Sequence, residues 1–207
     1  MTEPWHYTTT LELIDHWQTL IAGVLGFIVG ALGFGAAIAA VVFTLRTEQR
    51  KKERELEAVR SSLAVELRQS TAQALSAAEL LRKLAFSGEP ITARMVESSF
   101  YLPPPVIFQA SADKIGLLGQ DAMDVVIVYN LIDLARNGAE RLLTSRTPDD
   151  ISAKSVGSTA QAFLTACVYA TSVLPVLKTG VAKHEQDAKI TEKVQTERAF
   201  WQKRPPK

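Results

Sequence analysis

Three histidines, one cysteine and two close carboxylate pairs are the side chains of this chain best suited to chemistry. His6 and His16 precede a long apolar run and His184 lies far beyond it, so a membrane at that run keeps the three from meeting on one metal. Asp15 beside His16 is mere adjacency, with no spacing that builds a site. Cys167 stands in an apolar stretch without a basic neighbour to lower its pKa, which predicts a small core residue rather than a nucleophile. A single cysteine also excludes an internal disulfide framework and a thiolate cluster. Glu12 with Asp15, and Asp149 with Asp150, are the paired carboxylates, and neither spacing points to a catalytic cavity. No phosphate loop, zinc-protease helix or serine elbow is written in the chain. The expectation is no catalytic residue, no cofactor and no metal site. The alternative is a membrane-tethered enzyme or small-ligand sensor whose site forms only when folding unites distant residues.

The elements that would position these groups begin with the apolar run. Leu20 to Leu45 is 26 consecutive residues with one polar side chain, Thr44, and no charge falls between Asp15 and Arg46. As a helix it reaches about 39 Å at 1.5 Å per residue, against a hydrocarbon core of about 30 Å. A transmembrane helix over 19–45 is predicted. The flank before it carries Glu3, Glu12 and Asp15 but no Lys or Arg, unlike a cleaved signal peptide, so a retained anchor is expected. Arg46, Arg50, Lys51, Lys52 and Arg54 follow at once. That asymmetry puts the short tail 1–18 outside, with Trp17 at the outer boundary, and everything after Arg46 in the cytoplasm. The basic residues serve as topology determinants and solvated face, with anionic headgroups as a second role. The net charge of +1 gives no case for nucleic acid.

Within the span, Ala22, Gly26, Gly30, Gly33 and Ala37 recur at three- and four-residue spacing. They form one stripe on which two helix backbones can approach closely, through self-association or with another membrane protein. These are the candidate helix-packing residues.

Arg46 to Phe86 contains neither Pro nor Gly and reads as one long helix. Glu48 with Lys52, and Lys51 with Glu55, are spaced for ion pairs. Leu56, Leu63, Ala77 and Leu84, with Leu67, Ala74 and Leu81, form an apolar seam that Arg60 and Ser70 interrupt. It suits a bundle core better than a parallel homodimeric coiled coil. Ser87-Gly88-Glu89-Pro90 ends the helix. Short helices are expected over Thr92–Phe100 and Val106–Ile115, a tight corner between Gly116 and Gly119, and a helix over Gln120–Leu143. A loop, Thr144–Asp150, precedes an apolar segment, Ala153–Leu177, with Asp149, Asp150 or Ser152 as cap. Ser155–Leu177 is long enough for a second span. Its Ser, Thr, Gln161 and Pro175, and the basic tail after it, favour a buried bundle helix. Ala182–Gln202 suits a polar helix that Pro205 and Pro206 stop.

Pro103, Pro104 and Pro105 force an extended path, and Ile107 and Phe108 beside them look fit to dock on a core. The order Pro104-Pro105-x-Ile107-Phe108, then Asp113-Lys114-Ile115-Gly116-x-Leu118, then Val126 to Tyr129, resembles a segment of uncharacterised bacterial single-span proteins with small helical cytoplasmic domains. The resemblance covers Pro103 to Leu134. It implies a bacterial inner-membrane protein with an all-helical cytoplasmic part, and assigns no catalytic residue. Pro103, Pro104, Pro105, Ile107, Phe108, Ile115, Gly116 and Leu118 are then either a joint between helices or a candidate interaction segment.

The resulting expectation is an all-α chain. It has a tail (1–18), a transmembrane helix (19–45), a long cytoplasmic helix (46–86), a bundle portion (87–181) and a charged C-terminal tail (182–207). The function class is a membrane-anchored interaction or scaffold protein.

Overall fold

The computed structural model describes the backbone of residues 5–99, 102–144, 151–177 and 184–203. The side chains of residues 5–16, 19 and 184 lie outside that description, and so do the expectations placed on His6, Glu12, Asp15, His16 and His184. Asp149, Asp150 and the ends of the chain lie outside it as well. The described residues form helices joined by turns and loops, without a strand: α1 (Trp5–Phe86), α2 (Ala93–Ser99), α3 (Val106–Ala110), a 3-10 turn (Ile115–Leu118), α4 (Asp121–Leu143), α5 (Ala153–Val173) and α6 (His184–Lys203).

The chain divides into two compact units, Met1–Arg54 and Glu55–Lys207. In the first, every residue from Leu20 to Leu45 is exposed. Phe27, Leu32 and Phe34 are 78%, 69% and 71% exposed. The helix begins at Trp5, within the stretch expected to be a short tail. This is the one described helix long and apolar enough to cross a membrane.

In the second unit, the remainder of α1 packs with α4, α5 and α6 around one core. Leu63, Leu67, Ala74, Ala77 and Leu81 are fully buried, and Leu56 and Leu84 partly so, so the apolar seam of α1 is spent inside the chain. Contacts fix the directions. Arg60 meets Asp121 and Glu66 meets Tyr129, so α4 runs parallel to α1. Arg68 meets Asp187 and Arg82 meets Glu197, so α6 is parallel to α1 too. α5 lies antiparallel between them and buries Val156, Ala160, Phe163, Cys167 and Ala170. Two parallel helices in sequence need a long return, and residues 87–120 supply it. The return leaves α1 at Gly88, whose φ of +74° suits glycine, and is tied to the start of α5 by Ile151 N–H donating to the Ile91 carbonyl at 3.1 Å.

Two helix ends differ from the sequence reading. The helix expected over Val106–Ile115 stops at Ala110, and the chain turns before the 3-10 segment. Ile115 and Leu118, three apart, share one side of a three-residue turn and both reach the core. Gly119, at φ +64°, then releases the chain into α4. α5 ends at Val173 rather than Leu177, because Pro175 has no N–H to donate to the helix. Leu174 and Leu177 remain buried in the turn that follows. Ser152 occupies the N-cap of α5, but its side chain makes no capping hydrogen bond.

Candidate functional site

The exposed apolar segment carries the small-residue stripe. A Cβ added at Gly26, Gly30 or Gly33 would meet nothing within 4 Å, and Ala22 and Ala37 are exposed beside them. The stripe is therefore unpartnered among the described residues. Its side chains alone leave a shallow lane on the helix, where a second backbone can come close.

The Pro103–Leu118 segment is placed by one carboxylate that the sequence reading did not single out. Glu66, on α1, accepts the N–H of Ile107 at 2.7 Å, the N–H of Phe108 at 2.8 Å and the hydroxyl of Tyr129 at 3.0 Å. The N-cap of α3 is Pro105, which has no side-chain acceptor. Glu66 thus supplies from another helix what a Ser or Asp cap normally supplies locally. The Phe108 ring stacks on Tyr129, with centroids 4.1 Å apart and planes inclined by 16°. Burial, then the Glu66 charge and hydrogen bond, push the Tyr129 phenol above its ordinary pKa, so it stays a donor. The segment's residues separate into two groups. Ile115 and Leu118 are core; Ile107, Phe108, Pro103 and Pro105 are half-buried, and Pro104 and Gly116 exposed.

Other charged groups close the bundle. Arg68 and Asp187 form a two-bond pair that is about nine-tenths buried, Nε donating to Oδ1 and Nη2 to Oδ2, the latter at 3.1 Å. Arg82 donates to both oxygens of Glu197 at 2.9 and 3.2 Å, and its guanidinium lies 4.2 Å from the Phe200 ring centre. Phe86 adds Phe200 at 5.6 Å and Trp201 at 5.7 Å. Arg60 reaches Asp121 at 3.2 Å. The Cys167 thiol faces the Thr71 carbonyl at 3.5 Å, and burial pushes its pKa up to about 12, far from a nucleophile's.

These geometries orient helices. An open groove of about 450 Å³ between α1 and α6, lined by Val65, Gln69, Gln186 and Lys189, has Arg68 on its wall, and that guanidinium is already committed to Asp187. No three His, Cys, Asp or Glu side chains among the described residues gather as metal ligands would. Compared with protein-family models, curated proteins and solved structures, the chain gives no match.

Sequence reasoning passed over Glu66, Arg68, Arg82, Asp187 and Glu197. Glu66 and Arg68 flank Leu67 on a helix whose neighbouring positions are buried, which hints that they reach inward. Their partners lie 41 to 119 positions away, where no local pattern points to them.

Proposed function

We propose that this chain is a membrane-anchored, non-enzymatic interaction or scaffold protein of the bacterial inner membrane. Its N-terminus faces outward and its helical bundle the cytoplasm. The observation that carries the reading is the wholly exposed Leu20–Leu45 segment with its unpartnered small-residue stripe. An apolar surface of that extent needs lipid around it. Lipid supplies no hydrophobic drive between helices, so a stripe that admits close backbone packing is what a lateral partner would use. The partner in this reading is a second copy or another membrane protein. The one-sided basic flank supports the orientation, since Lys and Arg are retained on the cytoplasmic side.

Gly30→Ile tests the association. A Cβ there meets nothing within 4 Å among the described residues, so the variant should leave the monomer intact. In an in-membrane association assay the wild-type span should give a strong signal and Gly30→Ile a weak one. Equally weak signals from both would remove self-association, and a pull-down of the full chain would then decide for a different membrane partner. Reporter fusions should place residue 10 outside and residue 150 inside; the reverse would overturn the topology.

A further inference from the structure

We propose that Arg46, Arg50 and Arg54 form a binding face for the phosphate groups of anionic membrane lipids, on the side of the helix turned away from the small-residue stripe. The proposal rests on the anchoring of Leu20–Leu45 in a bilayer, and on neither the orientation nor the lateral partner. All three arginines lie in the same compact unit as the apolar segment. At about 100° per residue they fall within about 80° of arc. The small-residue stripe lies about 120° further round the axis. Ile21, Leu25, Ile28, Leu32 and Phe43 share the arginines' side, and all five are exposed. The arginines' side thus carries large apolar residues at 21–32 and at 43, with Ala36 and Ala39 between them, and ends in the arginines.

Arg60, Arg68, Arg82 and Arg136 are each held by a carboxylate. Arg46, Arg50 and Arg54 are exposed, and among the described residues no ion pair within 4.0 Å involves them. The pairs expected of Glu48 with Lys52 and Lys51 with Glu55 are not formed either. Glu53 falls about 20° outside the arginines' arc, and among the described residues no ion pair within 4.0 Å joins it to them. Glu48 lies on the small-residue side. The arginine α-carbons stand about 2 to 14 Å beyond Leu45 along the axis, and a headgroup layer is about 5 to 8 Å deep. The outer stems need only bend back toward it. A guanidinium fork matches two phosphate oxygens at once, which an ammonium does not.

The test uses the full chain, purified and reconstituted into phosphatidylcholine vesicles with trace spin-labelled phosphatidylglycerol or phosphatidylcholine. Electron paramagnetic resonance reads the fraction of each probe immobilised at the protein. Wild type should select phosphatidylglycerol about fivefold, and salt should erode that preference by screening. Arg46→Gln/Arg50→Gln/Arg54→Gln should lower the ratio to the small remainder that Lys51 and Lys52 sustain, and the triple Lys variant should keep more of it. Inorganic phosphate should compete no better than chloride at equal ionic strength, which separates a lipid site from a free-phosphate site. Both leaflets carry the same lipids, so an inverted orientation leaves the reading unchanged. Resistance to alkaline extraction checks the anchor separately. Equal immobilisation of both probes by wild type, or full selectivity in the Gln variant, would overturn the proposal.

Discussion

α5 and α6 both pack on α1, and they are held by opposite means. α5 has no charged residue from Ser155 to its end and buries Phe163, Ala166, Cys167 and Ala170 completely or nearly so. α6 is charged along most of its length, and Asp187, Val194 and Trp201 are its buried residues among those described. Burial gives α5 its place without much direction, since apolar attraction is not directional. α6 has too narrow an apolar face for that, and two forked Arg–carboxylate pairs set its register. Arg68 and Arg82 stand about 21 Å apart along α1 and Asp187 and Glu197 about 15 Å along α6; long side chains absorb the difference. One helix of the bundle is therefore packed in and the other is clipped on.

The largest expected effect comes from breaking the packed helix. Phe163→Ala empties a fully buried site and should cost about 3–5 kcal/mol. Denaturant unfolding of the full chain, followed by circular dichroism, should show the whole bundle weakened together. Asp187→Asn should cost about 3 kcal/mol, because it leaves Arg68 buried without its counter-charge. Here the loss should be local: hydrogen exchange should quicken across α6 while α5 amides stay protected. Uniform quickening in both helices would erase the contrast between them. Replacing the pair by Arg68→Met/Asp187→Leu should cost less than either single change.

Smaller effects sharpen the picture. Glu66→Gln retains one acceptor oxygen and should cost about 1–2 kcal/mol, with exchange quickened at the Ile107 and Phe108 amides. The smallest effect is silent at neutral pH. Burial raises Cys167 from 9.0 to about 12, so its contribution to stability is complete below pH 9 and is lost as pH rises toward 12. Tyr129 is raised in the same sense. Cys167→Ala should therefore flatten the alkaline loss of stability without abolishing it. A thiol reagent at pH 8 should label native Cys167 far more slowly than the unfolded chain.

The same contrast explains what was legible in the sequence. α5 announced itself through its apolar content and the lack of charge, and the span through 26 residues with one hydroxyl. The seam of α1 was readable because Leu63, Leu67 and Leu81 repeat at helical spacing. α6 was readable as a polar helix, but not what holds it, because a charge on an exposed helix resembles any other until its partner is brought near. What seats the start of α3 was hidden for the same reason. Its amides are capped by Glu66, 41 positions upstream of Ile107, and periodicity carries no record of that. Of the segment 103–118, the prolines and apolar flanks were visible, and the carboxylate that seats them was not.

The long return between α1 and α4 also sets a timetable for synthesis. Glu197 is translated 115 residues after Arg82. At about 5–20 residues per second, the ribosome needs roughly 6–23 s to make that clip available. Until α4 and α5 emerge, Leu63, Leu67 and Leu81 line a nascent helix with nothing of their own chain to cover them. The speed of elongation through residues 121–173 thus governs how long aggregation competes with folding on that strip.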